Sequence, residues 1–319
     1  MRTPVTLAAV ATIALGLSPG TTAEVNGAGE IAVTYTRSVD TNQDGIFTSD
    51  EESQADVFVD DLDPATPPVM AHPANRATDI TPNFSPDGNF LAWSSGDTGN
   101  GSLDIKVKNL TTGGIVNITN TKGVNERWPA WSPDGSLIAY NRKAGQDNLD
   151  IWVMNADGSN QRYLAGKTGP GKYLEDCCVS FTPDGTSVVW ASNRNGNFDL
   201  YRYPVSMSGP ENPYALRQLT SHRAYEGTPA VEPSGSIVFR YGGTQQIQRI
   251  GAFGGLARTV WTGGQIRTPQ ASPDGQRLAF GWRPGPGAQL DIAASAPDGT
   301  GRTLITRTPA LSETDPDWR

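Results

Sequence analysis

Trp128-Pro129-Ala130-Trp131-Ser132-Pro133-Asp134-Gly135-Ser136-Leu137-Ile138-Ala139-Tyr140 sets a Ser-Pro-Asp-Gly tetrapeptide between two short runs of bulky side chains. The tetrapeptide is turn chemistry. Proline presets φ at the first central position, Asp bonds nearby backbone from the second, and Gly accepts the left-handed conformation that rejoins the ladder. The same tetrapeptide stands at Ser85-Pro86-Asp87-Gly88 and Ser272-Pro273-Asp274-Gly275, with relaxed copies at Thr182-Pro183-Asp184-Gly185 and Glu232-Pro233-Ser234-Gly235. Start positions 85, 132, 182, 232 and 272 lie 40 to 50 residues apart, the length of a four-stranded unit rather than a helical pair.

Within one unit, Leu149-Asp150-Ile151-Trp152-Val153-Met154 reads as a third strand, Asn155-Ala156-Asp157-Gly158 as the next turn and Gln161-Arg162-Tyr163-Leu164 as a fourth strand. Four antiparallel strands repeated around an axis predict an all-β fold, a β-propeller. The chain ends complete one another. Glu313-Thr314-Asp315-Pro316-Asp317-Trp318-Arg319 matches the first strand Glu126 to Ser132 and stops before its turn. Gly29 to Tyr35 and Asp56 to Asp60 supply the missing second and third strands. Five internal turns and this composite blade, 29–64 plus 313–319, predict six blades closed by pairing the last strand with the first, which removes exposed sheet edges.

Composition agrees: 319 residues hold 36 Gly, 24 Pro and 36% apolar side chains, a turn-rich β profile. Arg2, the apolar run Val5 to Leu17 and the small residues Thr21-Thr22-Ala23 read as a secretory signal spanning 1–23, cleaved after Ala23, with the propeller filling 24–319. The run is too short to span a membrane, and no cysteine stands near the cleavage site for a lipid anchor. A secreted or periplasmic, monomeric product without membrane insertion is expected. The net charge of −8 makes nucleic acid a poor partner and favours cations and basic proteins.

Asp40-Thr41-Asn42-Gln43-Asp44-Gly45-Ile46-Phe47-Thr48-Ser49-Asp50-Glu51 fits the twelve-residue calcium loop. Asp40, Asn42 and Asp44 supply side-chain oxygens, Ile46 its carbonyl, Thr48 a direct or water-borne ligand and Glu51 two oxygens, while Gly45 makes the bend. Strands rather than helices flank it, so one structural Ca2+ in a hairpin is expected. The competing reading is a solvated acidic hairpin tip.

Six residues upstream of each turn stand Asp79, Glu126, Asp176 and Glu226, then Ile266 as the exception, and Glu313 in the closing strand. With first strands lining the channel, these side chains predict an incomplete carboxylate ring at one mouth, open to a cation or a basic peptide. The competing reading gives them a repeated structural task. A second repeated acid, Asp56, Asp104, Asp150, Asp199 and Asp291, opens third strands and is expected to bond turn backbone. Cys177 and Cys178 are the chain's two cysteines; adjacency allows a strained vicinal disulfide or two reduced thiols. His72 and His222 are its two histidines, and no Gly-x-Ser-x-Gly elbow occurs. A reaction assisted by His222 beside the carboxylates is the minority reading.

The repeat running from Trp128 to Tyr140 and on through Asp150-Ile151-Trp152-Val153-Met154-Asn155-Ala156-Asp157-Gly158 resembles the WD40-like repeats of the TolB-like propeller family, across essentially the whole mature chain. That family extends to the N-terminal propellers of prolyl-oligopeptidase-type peptidases. TolB itself carries an α/β domain ahead of its propeller; about six residues separate Ala23 from the first strand, so that domain is not expected here. The resemblance implies protein binding across a propeller face. The expected product is a calcium-stabilised, non-catalytic binding module; the alternative is a lyase or hydrolase working at the channel mouth with metal, His222 and a ring carboxylate.

Overall fold

A computed structural model describes residues 33–38, 55–61, 68–72, 78–96, 102–144, 148–166, 174–242, 245–285, 288–307 and 312–319, the first of these as backbone only. The predicted signal and the calcium loop, Asp40 to Glu51, lie outside the described residues. Among the described residues there are six four-stranded antiparallel sheets and no helix.

From the inner strand outward, the first blade runs Asp79–Phe84, Phe90–Ser95, Asp104–Asn109 and Ile115–Asn117. The second is Val124–Trp131, Leu137–Ala144, Asp150–Asn155 and Arg162–Ala165; the third is Asp176–Phe181, Ser187–Ser192, Asp199–Pro204 and Arg217–Gln218. The fourth is Glu226–Val231, Ile237–Tyr241, Gln246–Gly251 and Gly254–Thr262, and the fifth is Gln265–Ala271, Leu278–Arg283, Asp291–Ser295 and Thr303–Leu304. The remaining blade draws on both ends of the chain, in the order Ser312–Trp318, Val33–Ser38, Asp56–Asp60 and Val69–Met70. Its second strand is described over Val33–Ser38, and the expected start near Gly29 lies outside the described residues. Each inner strand packs on the next, and Ser312–Trp318 touches those of both the fifth and first blades, which closes the ring.

The turns behave as their chemistry requires. In the second blade Asp134 Oδ1 accepts the Ser132 hydroxyl at 2.6 Å and the Ser136 N–H at 3.0 Å, while Ser132 Oγ accepts the Leu137 N–H at 2.9 Å. Gly135 sits at φ 71°. In the third blade the second strand is buried on both faces: all six residues of Ser187–Ser192 are buried. Alternation then sends Val188 and Trp190 into a cluster shared with the second blade, with Ile151 and Val153, and Val189 and Ala191 into one shared with the fourth, with Ile237 and Phe239. The core is therefore a set of interblade slabs rather than one central mass, leaving the axis free for polar side chains.

Every inner strand carries an irregularity at the same place. Thr81, Trp128, Cys178, Thr228, Thr268 and Asp315 adopt left-handed backbone, with φ from 39° to 61°. The pairing register shifts beside each one. Proline follows in five of the six: Pro82, Pro129, Pro229, Pro269 and Pro316. Proline in a strand belongs at an edge or a bulge, and the inner strand is the blade's axial edge.

Candidate functional site

The six bulge residues come together at the waist of the axial channel. On the side away from the Ser-Pro-Asp-Gly turns, they floor a cavity of about 670 Å3. On the turn side, a funnel of about 380 Å3 is ringed by prolines, among them Pro86, Pro133 and Pro233. A non-glycine residue in left-handed backbone costs roughly 1–2 kcal/mol, and six at one waist persist because the closed ring of blades over-determines them.

The larger cavity has the opposite charge from the one the sequence predicts. Its walls carry Arg127, Lys143, Arg240 and Arg267 against Glu175 and Asp315. Asp315 is already engaged, accepting the Thr268 hydroxyl at 2.7 Å and the Thr314 hydroxyl at 3.0 Å. Trp128, Phe198 and Tyr225 form aromatic walls, with Phe198 and Tyr225 ring centroids 5.2 Å apart. The Arg240 guanidinium lies 4.6 Å from the centre of the Tyr225 ring. Burial pushes the Tyr225 hydroxyl well up, so it stays protonated as a donor. Gly227 makes room for this phenol: a Cβ there would run into the Tyr225 hydroxyl. Arg240 Nε and Thr228 Oγ1 are buried with no hydrogen-bond partner among the described residues.

Asp79, Glu126, Asp176, Glu226 and Glu313 do not line this cavity; all are at most 1% exposed and sit between blades. The mouth-ring expectation is thus corrected, and the reason is strand alternation: the residue after each acid points to the axis, so the acid points away. These positions are Ile80, Arg127, Cys177, Gly227, Arg267 and Thr314.

Between blades the two repeated acids meet. The backbone N–H of each ring acid donates to the carbonyl just before a third-strand Asp of the preceding blade: Asp79 to Ala55, Glu126 to Leu103, Asp176 to Leu149, Glu226 to Phe198 and Glu313 to Leu290, at 2.7–3.0 Å. This brings Asp56, Asp104, Asp150, Asp199 and Asp291 beside the five acids. Where Ile266 replaces the acid, the third strand of the preceding blade opens on Gln246 instead of Asp, so both members are replaced together. Burial, and then the neighbouring acid, push Glu126 up to about 8 and Asp199 up to about 6.

Cations close the junctions. Arg194 reaches Asp176 at 3.0 Å and Glu211 at 2.8 Å, and Arg142 reaches Glu126 at 3.5 Å. The two histidines stand at the same kind of junction: His72 Nδ1 is 3.3 Å from Asp79, and His222 Nδ1 is 3.3 Å from Glu226. Trp93 and Trp190 indoles donate to Asp79 and Asp176 at 3.1 and 2.8 Å. The third-strand acids bond turn groups in part as expected, since Asp104 accepts the Thr121 N–H at 3.2 Å and the Asn117 amide at 2.7 Å.

Cys177 and Cys178 both line the cavity as free thiols, with sulfurs 3.0 Å apart. The hydrogen bond with Cys178, then burial, raises the Cys177 thiol well above its ordinary value. Among the described residues no group of three or more His, Cys, Asp or Glu side chains is arranged to hold a metal ion.

Residues 46–212 match the model of the TolB beta propeller domain. The chain belongs to the TolB β-propeller family. The Tol-Pal system protein TolB of Francisella tularensis is 31% identical over 219 residues, 66% of this chain and 47% of that protein. This chain thus spans about half the length of the curated TolB relatives it matches. Crystalline TolB from Acinetobacter baumannii superposes with a TM-score of 0.71 at 20% identity, over 90% of this chain and 66% of its own. Hydrazine synthase from Kuenenia stuttgartiensis superposes with a TM-score of 0.70 at 12% identity, over 91% of this chain and 47% of its own. Likeness at such identity belongs to the fold, and the TolB propeller shares it with enzymes.

Proposed function

We propose that this chain is an exported, non-catalytic binding module, a six-bladed TolB-type propeller that engages a protein partner through the face opposite the Ser-Pro-Asp-Gly turns. The observation that carries this reading is the cavity on that face, where aromatic walls, cations and two buried polar atoms without partners gather on a rigid ring. Sites of this composition bind by enclosure plus a few oriented polar groups. Family membership supports it, since the Francisella relative is named as a Tol-Pal system protein.

The finer parts belong to the same proposal. Export rests on residues 1–23, with a secreted or periplasmic destination, and Ca2+ binding rests on Asp40, Asn42, Asp44, Ile46, Thr48 and Glu51. The ion would pin the link between Val33–Ser38 and Asp56–Asp60. Calcium at a hundred times its Kd would add about 2.7 kcal/mol of stability; a melting temperature unmoved by chelator, together with no heat on calcium titration, removes the calcium claim.

The experiment for the binding face is affinity capture with the purified chain from an envelope or culture fraction, followed by footprinting of Lys143. Protection of Lys143 by the captured protein is expected. A footprint confined to the proline-ringed funnel would overturn the face assignment. One geometric observation favours a second reading: His222, 59% exposed, holds Nδ1 3.3 Å from buried Glu226, an acid–base pair open to solvent. Hydrolase or lyase turnover abolished by His222→Gln would establish that reading.

A further inference from the structure

We infer that the groove between the first and second blades, on the face of the Ser-Pro-Asp-Gly turns, is an arginine socket: it takes the guanidinium of an arginine presented by an exposed segment of a partner protein. The groove stands apart from the axial cavity, and the inference goes beyond the binding face proposed above without resting on it.

One pair of positions recurs in every blade, where the third strand faces the fourth. Register sets Val153 opposite Arg162 in the second blade, Arg202 opposite Arg217 in the third and Arg249 opposite Arg258 in the fourth. In each of these blades one arginine of the pair crosses to the next blade and caps a carbonyl in the turn joining its third and fourth strands. Arg162 donates to Val205 at 2.7 Å, Arg202 to Ala252 at 3.2 Å and Arg249 to Pro297 at 2.7 Å. Arg249 also forks onto the two oxygens of Glu232, at 2.8 and 2.7 Å. Three consecutive junctions thus hold a guanidinium between neighbouring blades.

The first blade breaks the series. Val107 stands opposite Val116 there, and among the described residues no arginine reaches the Ala156 carbonyl, the equivalent acceptor on the second blade. Where the arginine is missing there is room: Val107 and Ala156 line a groove of about 650 Å3. The Phe90 and Trp131 rings share it, their centroids 6.3 Å apart, and a guanidinium stacks on such faces as an ammonium does not.

The charge left in the groove fits the missing group. Asp87, Asp134 and Asp157 all line it. Their hydrogen bonds come from Ser85 and Asn89, from Ser132 and Ser136, and from Ser159, and none of the three is paired with a cation among the described residues. Those bonds, led by the serine hydroxyls, hold the three carboxyls below their ordinary range, so they are ionised at neutral pH. In the third blade Asp184, the counterpart of Asp87, lies in electrostatic reach of Arg202. The junction preceding the socket also offers a valine pair, Val59 and Val69, but the turn it faces, Leu110-Thr111-Thr112, carries no acid.

The test uses the full chain with isotope-labelled tryptophan and follows the Trp131 indole N–H, which has no acceptor among the described residues and reports locally; Trp131→Phe assigns the signal. The probe is the pentapeptide Gly-Gly-Arg-Gly-Gly, blocked at both ends, beside its lysine and citrulline counterparts and free arginine. A saturable shift is expected with the arginine peptide, with a Kd of about 1 mM that weakens as salt rises. Lysine should bind more weakly and citrulline not at all. Asp157→Asn should weaken binding several-fold. Val116→Arg, which restores from within the arginine that the second blade holds at Arg162, should abolish it; Val116 is 61% exposed, so the substitution spares the core. No shift, equal binding of lysine or citrulline, or binding that survives Val116→Arg would each overturn the socket. Free arginine binding as tightly as the peptide, or protein capture unmoved by Val116→Arg, would overturn the docking claim.

Discussion

Gly135 shows how far a single position is committed. At φ 71°, with its N–H donating to the Ser132 carbonyl at 2.9 Å, it closes the turn that Asp134 organises. Gly135→Ala should cost about 1 kcal/mol or somewhat more, read as a melting temperature a few degrees lower with binding at the axial cavity unchanged. Gly227 is committed for another reason. Its own backbone is ordinary, but the Tyr225 hydroxyl occupies the space a Cβ needs. Gly227→Ala should displace the phenol from Arg240 and change affinity for the captured partner more than stability, which partner titration and thermal melting on the same sample separate. The turn glycine was legible from its tetrapeptide; the Tyr225 contact was not, because it depends on a side chain folding back over the strand.

At the blade junctions, the two acid series prove to be one device. Each was visible in the sequence, yet only the interblade N–H to carbonyl bonds bring them side by side. The basic partners come from scattered places: Arg142 lies within Leu137–Ala144, His72 follows Val69–Met70, and Arg194 follows Ser187–Ser192. No fixed spacing announces them. Arg194 is the most enclosed, bonded to Ser192, Asp176 and Glu211. Arg194→Ala leaves buried acids without their cation and should destabilise by roughly 3 kcal/mol or more, measured by urea unfolding. The junctions also set a pH dependence. Glu126 and Asp199, raised to about 8 and about 6, bind protons in the native state that the unfolded chain has already released, so stability falls as pH rises from near 4.5 toward 8 and then levels. The turn carboxyls of Asp87, Asp134 and Asp184 are lowered by hydrogen bonds, chiefly from the hydroxyl two residues before each. Their contribution is present above the ordinary carboxylate range and lost in strong acid. Melting temperature should therefore peak near pH 5 and drop by a few degrees at pH 8; a profile rising steadily to pH 8 would contradict the junction chemistry.

Closure holds the whole molecule. Ser312–Trp318 pairs with Val33–Ser38, Trp318 is buried among Ala279 and Ile292 of the fifth blade, and Asp317 accepts the Phe84 N–H of the first at 2.7 Å. One strand thus bonds its own blade and stitches both neighbours. Truncation after Pro309 should remove cooperative unfolding and expose two sheet edges, giving soluble aggregates by light scattering. A truncated chain that melts like the full one would show that closure is dispensable. The match between the chain's last seven residues and an inner strand made this clasp legible, since a strand that stops before its turn must borrow its partner from elsewhere.

The sequence by itself determined the repeat, the turn chemistry, the antiparallel order within each blade and the joining of the two ends. All of these follow from local spacing and composition. What only tertiary structure decided was which way the repeated acids face. Side chains alternate along a strand, so a one-residue difference in phase carries a side chain from the channel to the interblade slab. The repeated acid at Asp79, Glu126, Asp176, Glu226 and Glu313 meets a need that recurs at each junction, whereas the changing residue beside it, arginine at 127 and 267, meets the axis. Packing of six blades against one another settles that phase, because only the closed ring defines an inside for the channel and a between for the blades.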